Sequence, residues 1–300
     1  MSATISTTKN ENSGRGATFV GEQAVQWLRS QPDKQELVAA CYFDEPIDAA
    51  ARRFAHSIEW QAVRKFLPED KGSVLDIGAG RGISSYALAV DGWTVTALEP
   101  DPSTVVGAGS IRRLVELTQT PITIVNEFGE TLPFADNTFD VAYVRQVLHH
   151  AYDLPLMCRE VQRVLKPGGR FIATREHVID QPQDLPRFLE THDLHPRFGG
   201  EHAYTLDQYQ GAITAGGLKL IKTLGPCDSV INQPPQGAEE LRPNYQKKLA
   251  RRFGQTIASL ALGDSVPWSG LTLSLLLRFG CRDLKLPGRQ FSFIADKPRT

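Results

Sequence analysis

Glycines and carboxylates at fixed spacing are the residues of this chain best suited to binding a ligand. The turn at residues 78–82 has glycine at every second position and follows the short apolar run 74–77, which includes Asp76. Glu99 closes the next apolar run, 23 residues after Asp76. Glycine lets the backbone turn sharply and approach a ligand without a Cβ in the way, and a carboxylate at the adjacent strand end can accept hydrogen bonds from both ribose hydroxyls. The pattern predicts a site for a nucleoside cofactor.

The spacing of the glycines distinguishes two classes of nucleoside cofactor. A dinucleotide fingerprint places its third glycine five residues after the first, whereas Gly82 follows Gly78 by four. Asp76 would also repel a pyrophosphate, but it suits a ligand that carries a cationic amino group. Apolar residues at helical spacing over 83–90 indicate that the turn opens a helix with its N-terminus toward the ligand. A nicotinamide-dependent oxidoreductase is therefore disfavoured and stays open only as an alternative.

These residues resemble motif I of the class I methyltransferases that use S-adenosylmethionine. Three later segments are similar to further landmarks of that family and occur in its order: residues 132–141 before the fourth strand, 145–150 after it, and 165–171 at the turn that opens the fifth. The resemblance spans about residues 72–176 and is strongest to quinone-biosynthesis-like enzymes that act on small molecules. It implies S-adenosyl-L-methionine as the cofactor and a small or medium organic molecule as the methyl acceptor.

Strand and helix patterns alternate along the same part of the chain. Strands are predicted near residues 73–77, 94–98, 122–125, 139–144 and 169–174, followed by a helix at 206–215 and strands at 218–224 and 290–295. Such alternation indicates a parallel sheet with helices on both faces, and the resemblance implies an antiparallel closing pair. We therefore expect an α/β fold with a Rossmann-like, seven-stranded, mostly parallel sheet.

The regions around this sheet are predicted from composition and periodicity. We expect a disordered tail over residues 1–16, an N-terminal helical cap over 17–70, and a methyltransferase domain over 71–300. The domain carries a substrate-loop insertion at 176–204 and a C-terminal helical insertion at 226–289. In the C-terminal insertion, one helix is predicted from the four-residue spacing of Leu241, Tyr245, Leu249, Phe253 and Ile257. The apolar residues 271–277 predict a second, buried helix, which could pack in the core or in a dimer interface.

The resemblance assigns specific roles to residues of the cofactor site. The ribose is assigned to Glu99, and the amino group to the backbone carbonyl of Arg145. The methionine part is assigned to Asp76, Gly78, Ala79 and Gly80. Phe128 departs from the family, whose members often have an aspartate there to accept a hydrogen bond from the adenine amino group. Phe128 can stack on adenine while the Gly129 amide donates to a ring nitrogen and Glu127 or Glu130 supplies the acceptor; a core role for Phe128 stays open.

Histidines are the candidates for proton removal and acceptor binding. An activated methyl donor needs mainly a positioned acceptor and, for a hydroxyl or amine, a base. His149 and His150 follow the fourth predicted strand, so either could be that base, although a helix-start packing role is an alternative. We expect substrate contacts from the later loop, through His192, His195, Glu201 and Tyr204. A metal site formed by His192, His195, Glu201 and His202 is a weaker interpretation, and we expect no metal.

Composition restricts the partners and the location. The formal net charge of −1 disfavours nucleic acid, because phosphate binding normally requires a basic surface. The four scattered cysteines suit reduced thiols in a cytoplasmic protein, and the N-terminal residues predict neither a secretory signal nor a membrane anchor.

We expect a monomer or homodimer that transfers methyl groups by in-line displacement, with oxygen as the favoured acceptor atom and carbon or nitrogen as alternatives. A catalytically silent, cofactor-binding regulatory protein stays open.

Overall fold

A single mixed sheet of eight strands organises the chain. The computed structural model describes residues 21–191, 202–226, 228–232, 238–263, 265–273, 275 and 288–299. The strands are β1 (Ser73–Ile77), β2 (Thr94–Leu98), β3 (Ile122–Val125), β4 (Phe139–Arg145), β5 (Leu165–Ile179), β6 (Tyr204–Thr205), β7 (Lys219–Leu224) and β8 (Arg289–Asp296).

The strand order confirms the predicted α/β class and the mostly parallel sheet. The order is β3-β2-β1-β4-β5-β8-β7, with β6 beside the end of β5. Strands β1 to β6 pair in parallel, and β8 runs antiparallel to both β5 and β7. The predicted count of seven is wrong by one, because Tyr204 and Thr205 form a two-residue strand that is too short to show any period. Strand order reverses between β1 and β4, the place where such sheets bind ligands.

Helices cover both faces of this sheet. They are α1 (Gly21–Arg29), α2 (Gln35–Ala40), α3 (Ile47–Ala55), α4 (Ile58–Arg64), α5 (Ile83–Val90), α6 (Ala108–Thr118), α7 (Leu154–Val164), α8 (Leu185–Thr191), α9 (Leu206–Ala215), α10 (Ala238–Phe253) and α11 (Gln255–Leu262). Alternate strand residues point to opposite faces. Leu75 and Val144 thus share a core with α7 and α9, whereas Val74 and Tyr143 share one with α3, α4 and α5.

Strand β5 is longer than its sequence pattern predicts. The predicted strand ends at residue 174, but the observed strand continues to Ile179. A bulge between Ala173 and Glu176 lets β8 keep pairing beyond the apolar segment. Part of the predicted substrate loop is therefore strand, and helix α8 occupies a further part of it.

The C-terminal insertion corrects two helix predictions. The single predicted helix breaks at Gly254, which has a φ of 90°, and Phe253 and Ile257 are exposed on either side of the break. The predicted buried helix at 271–277 is correct only in part, because Leu273 is 1% exposed whereas Leu271 is 67% exposed. Residues 1–16, 276 and 277 and the side chain of residue 241 lie outside the described residues. Within the part of the chain that the structure describes, no helix is both long and apolar enough to cross a membrane.

Candidate functional site

The glycine turn joins β1 to α5 at the carboxyl edge of the sheet. Gly78, Gly80 and Gly82 have φ values of 65°, 54° and 78°, a region that side chains disfavour. A Cβ on Gly78 would also lie 2.7 Å from a methyl carbon of Val147. The backbone amides of Gly78 and Ala79 donate to the Leu98 carbonyl oxygen at 2.8 and 3.1 Å. The turn is therefore fixed against the end of β2 and requires glycine.

Glu99 follows β2 and lies against this turn. Its Oε2 accepts a hydrogen bond from the Gly80 amide at 2.7 Å, and its Oε1 accepts one from the Asp101 amide at 2.9 Å. Burial raises the pKa of Glu99 to about 7, against the lowering effect of these two amides. A carboxylate offers about four acceptor positions, so two stay available for a ligand diol. The predicted neighbours Gly80 and Glu99 are thus brought together.

Asp76 lies beneath the turn and is 1% exposed. Its Oδ2 accepts hydrogen bonds from the Ser84 and Ser85 hydroxyls at 2.7 and 2.6 Å. Burial raises the pKa of Asp76 to about 6, while the two hydroxyls lower it. The carboxylate thereby ties β1 to the first turn of α5, and its predicted contact with a methionine moiety stays a prediction.

The adenine region contains the predicted departure from the family pattern. Phe128 is half-buried, and its amide donates to Glu127 Oε1 at 2.9 Å. A Cβ on Gly129 would lie 3.0 Å from the Met157 methyl carbon, so this segment sits tightly against the core. Glu130 Oε1 accepts the Tyr152 amide at 2.7 Å. Adenine stacking by Phe128 stays a prediction.

The side chain of Arg145 makes a buried ionic contact that the sequence did not indicate. Its Nε and Nη2 donate to the two carboxylate oxygens of Glu59 at 2.8 and 3.1 Å. Arg175 on β5 donates through Nη1 to Glu59 Oε2 at 3.3 Å. Glu59 is placed in the first turn of α4 because the Ser57 hydroxyl caps that helix, accepting the Trp60 amide at 3.0 Å. Three distant segments therefore meet beside the carboxyl end of β4.

The two candidate bases have different surroundings. His149 is 2% exposed, and its Nδ1 lies 2.8 Å from Glu176 Oε2. The same carboxylate accepts the backbone amides of Val147 and His149 at 3.0 and 3.2 Å. The His150 ring centroid lies 4.2 Å from that of His149. Glu176 therefore fixes the short 3₁₀ helix Leu148–His150, a role that the sequence did not predict.

His150 is the more accessible of the pair. Its side chain is exposed, yet desolvation by the surrounding protein and the nearby His149 lower its pKa to about 3. The imidazole is then neutral at pH 7 and can accept a hydrogen bond, but it is a weak base because catalytic efficiency requires a pKa near the working pH.

Tyr204 is the one of the four predicted acceptor-contact residues that the structure describes. Its hydroxyl donates to the Ala151 carbonyl oxygen at 2.8 Å, which places it directly after the 3₁₀ helix. Its ring stacks on that of His202 with a centroid distance of 4.4 Å. The other three predicted contact residues, His192, His195 and Glu201, lie outside the described residues.

Three residues at the site were missed at the level of sequence: Glu59, Arg175 and Glu176. The last two had a usable signal, because residues 175–177 read Arg-Glu-His directly after the apolar part of a predicted parallel strand. Polar side chains at the carboxyl end of such a strand face the ligand edge. Glu59 has no comparable local signal.

Comparison with known proteins agrees with this geometry. Residues 75–173 match the family model described as a methyltransferase domain. The ubiquinone biosynthesis O-methyltransferase of Methylobacterium nodulans is 31% identical over 177 residues, which cover 54% of this chain and 66% of that protein. The chain spans two thirds or less of the length of the curated relatives that it matches.

Two solved structures share the fold at low sequence identity. The cyclase SpnF has a TM-score of 0.52 and 21% identity, covering 84% of this chain and 82% of that one. Geranyl diphosphate C-methyltransferase from Streptomyces coelicolor, solved with S-adenosyl-L-homocysteine, has a TM-score of 0.54 and 14% identity, covering 85% and 86%. At these identities the likeness shows the fold alone.

Family match, relatives and fold give one assignment. The chain contains a methyltransferase domain with a class I, Rossmann-like fold, it is similar to quinone-biosynthesis methyltransferases, and S-adenosyl-L-methionine is the cofactor of this class of domain.

Proposed function

We propose that this chain transfers the methyl group of S-adenosylmethionine to a small or medium organic acceptor, with oxygen as the favoured acceptor atom. The observation that carries the proposal is the Glu99 carboxylate, held 2.7 Å from the Gly80 amide at the carboxyl ends of β1 and β2. A buried carboxylate beside a turn that requires glycine suits a ribose diol and an adjacent amino-acid moiety. The Methylobacterium nodulans relative is an O-methyltransferase, which supports oxygen as the acceptor atom.

The cofactor residues follow from this placement. We assign the ribose to Glu99 and the methionine moiety to Asp76, Gly78, Ala79 and Gly80. We further assign the amino group to the Arg145 carbonyl oxygen, and adenine to the Phe128 ring with the Gly129 amide. The buried carboxylate of Asp76 favours a cationic amino group nearby, because ionisation of the acid is then compensated.

The protein's own contribution to the reaction is positioning. The cofactor supplies an activated methyl group, so an acceptor held in line is the main requirement. We assign acceptor positioning to His150, to Tyr204 and to the loop residues His192, His195 and Glu201, with His149 held by Glu176. The low pKa of His150 suits an acceptor hydroxyl that is already acidic, such as a phenol or an enol, because such a group needs only a weak base.

A catalytically silent cofactor-binding protein is the second candidate function. The observation that favours it is the desolvated His150, which is a poor base at neutral pH. The shared fold of the cyclase SpnF also illustrates that a fold does not determine chemistry. We also propose that the chain consists of an N-terminal cap and a core domain with two insertions. We further propose that the protein is cytoplasmic and is a monomer or homodimer. The free thiols of Cys41 and Cys158 support the location.

The test is label transfer from methyl-tritiated S-adenosylmethionine to a metabolite extract, followed by mass spectrometry of the labelled product. The proposal expects an extract-dependent product that is 14 mass units heavier when unlabelled donor is used. S-adenosylhomocysteine binding without any product supports the silent alternative. Thermal protection by NADH and not by S-adenosylhomocysteine would favour the oxidoreductase.

A further inference from the structure

The contact among Glu59, Arg145 and Arg175 carries an excess of positive charge. The three side chains are 1%, 15% and 11% exposed, respectively. Two guanidinium groups therefore share one carboxylate in a largely dehydrated place. Buried charges are normally paired one to one or satisfied by a ligand, so this cluster leaves one positive charge to account for.

Neighbouring groups compensate that charge only in part. Among the described residues, Glu59 supplies the only carboxylate that is hydrogen-bonded to either guanidinium. The Asp76 carboxylate acts on Arg145 only through space, and its Oδ2 receives two serine hydroxyls. Burial raises the pKa of the Cys41 thiol, which therefore stays protonated at neutral pH.

One donor of the cluster is available to a ligand. Arg175 uses Nε for Gln290 Oε1 at 2.9 Å and Nη1 for Glu59 Oε2 at 3.3 Å. Within the described ranges, Nη2 of Arg175 has no hydrogen-bond acceptor. The buried side-chain atoms without a partner there are Arg81 Nε and Trp93 Nε1, so Nη2 of Arg175 keeps contact with solvent. A guanidinium nitrogen of this kind can donate a charge-assisted hydrogen bond to a carboxylate oxygen.

The position of the cluster points to the acceptor side of the carboxyl edge. Glu99 follows β2, the glycine turn follows β1, and the order then continues through β4, which ends at Arg145, to β5, which carries Arg175. Arg175 therefore lies two strands beyond the glycine turn, on the side away from Glu99. Desolvation and the nearby Arg145 disfavour the charged form of Arg175 and lower its pKa to about 10. A bound anion would stabilise that charged form.

We propose that Glu59, Arg145 and Arg175 form a subsite for a carboxylate on a ligand bound at the carboxyl edge of the sheet. The proposal rests on the methyltransferase function proposed above and adds a chemical class to it. The strand positions favour an acidic methyl acceptor as the source of the carboxylate. The methionine carboxylate of the cofactor is the other source, and the experiment separates the two.

The test uses Arg175→Gln, which removes the excess charge and leaves the Glu59 to Arg145 pair in place. Arg170→Gln is the matched control, because Arg170 also lies on β5 and pairs with an acid, Asp296, at 2.8 Å. It lies five residues away, roughly 16 Å along the strand. In the first experiment, calorimetry compares the affinities of benzoate and neutral benzamide for the protein already bound to S-adenosylhomocysteine. In the second, it compares the affinities of S-adenosylhomocysteine and methylthioadenosine for the free protein, since methylthioadenosine lacks the amino-acid part.

Each outcome decides the proposal. With an acidic acceptor, wild type and Arg170→Gln bind benzoate about tenfold or more tightly than benzamide, and Arg175→Gln loses that preference. With the cofactor carboxylate, Arg175→Gln weakens S-adenosylhomocysteine binding about tenfold and leaves methylthioadenosine unchanged. If Arg175→Gln changes neither comparison while wild type binds S-adenosylhomocysteine, the subsite is wrong and the proposed function stands. If wild type does not bind S-adenosylhomocysteine, the proposed function itself fails.

Discussion

The two halves of the ligand edge are built in different ways. On the nucleoside half, Glu99 is satisfied by backbone amides of residues 80 and 101, close to it along the chain. On the half that we propose binds the methyl acceptor, called the acceptor half, Glu59 reaches Arg145 across 86 residues and Arg175 across 116. The first half is a local motif at the end of adjacent parallel strands, whereas the second is assembled by tertiary packing of the cap onto β4 and β5.

This difference assigns different tasks to the two halves. The nucleoside half holds backbone amides and one carboxylate in place, an arrangement suited to a constant ligand such as the cofactor. The acceptor half uses long charged side chains and histidines from separate segments, which can vary without disturbing the glycine turn. We therefore expect substitutions in the nucleoside half to change cofactor affinity, and those in the acceptor half to change stability or acceptor binding.

The largest expected effect is on stability, from Glu59→Gln. Removing the buried carboxylate leaves Arg145 and Arg175 without their shared partner, so the free energy of unfolding should fall by about 3–5 kcal/mol. The control is Asp296→Asn, since Asp296 pairs with the half-exposed Arg170 and should cost about 1 kcal/mol or less. Urea denaturation measures both. Equal losses would remove the distinction between a buried and a half-exposed pair.

The next effect concerns cofactor affinity in the nucleoside half. Glu99→Gln keeps the side-chain size but removes the charge that accepts the ribose hydroxyls. We expect S-adenosylhomocysteine affinity to fall by about 1–3 kcal/mol, or roughly 5- to 150-fold. The exposed Glu116→Gln variant on α6 serves as the control. An unchanged dissociation constant in a folded Glu99→Gln protein would remove Glu99 from the site.

The pH dependence of S-adenosylhomocysteine affinity also tests whether Glu99 binds the ribose. Below about pH 7 the buried Glu99 is protonated in the free protein, whereas hydroxyl donors favour its ionised form and lower the pKa in the complex. Affinity should therefore decrease as the pH falls below 7, by at most about tenfold per pH unit from this group, and level off above 7. Asp76, with a pKa of about 6, adds a change of the same sign. Calorimetry in two buffers should detect proton release near pH 6 that Glu99→Gln reduces.

The smallest expected effect belongs to His150 in the acceptor half. His150→Gln should leave S-adenosylhomocysteine affinity within about twofold and lower the methyl-transfer rate by about tenfold, below the usual range for a strong general base because of the low pKa. Single-turnover rates with the acceptor identified by label transfer provide the measurement. A loss of several thousandfold would show that His150 is the principal base.

The nucleoside half was accessible to sequence reasoning because its geometry follows from strand register. Asp76 pairs with Ala97 and Ile77 with Leu98, so a turn after β1 and an acid after β2 must lie side by side. The same reasoning gave the α/β class and the boundaries of β1, β2 and β3. It missed β6, because two residues show no period, and it ended β5 too early, because a bulge carries pairing into polar residues.

The acceptor half was not accessible in the same way. Arg145 was predicted only for its backbone carbonyl, and its contact with Glu59 depends on how the cap packs against the sheet. Glu176 binds the amides of Val147 and His149, an interaction between segments that share no pattern. The helix break at Gly254 and the exposed Leu271 have the same origin, because spacing predicts a face but not what covers it.

A structure of the chain with S-adenosylhomocysteine tests the central assignment most directly. The account predicts the adenosine ribose at Glu99, with both hydroxyls within hydrogen-bonding distance of its carboxylate, and the methionine moiety over residues 78–80. A ligand bound with its ribose away from Glu99, or a well-folded protein that takes up no S-adenosylhomocysteine, would contradict it.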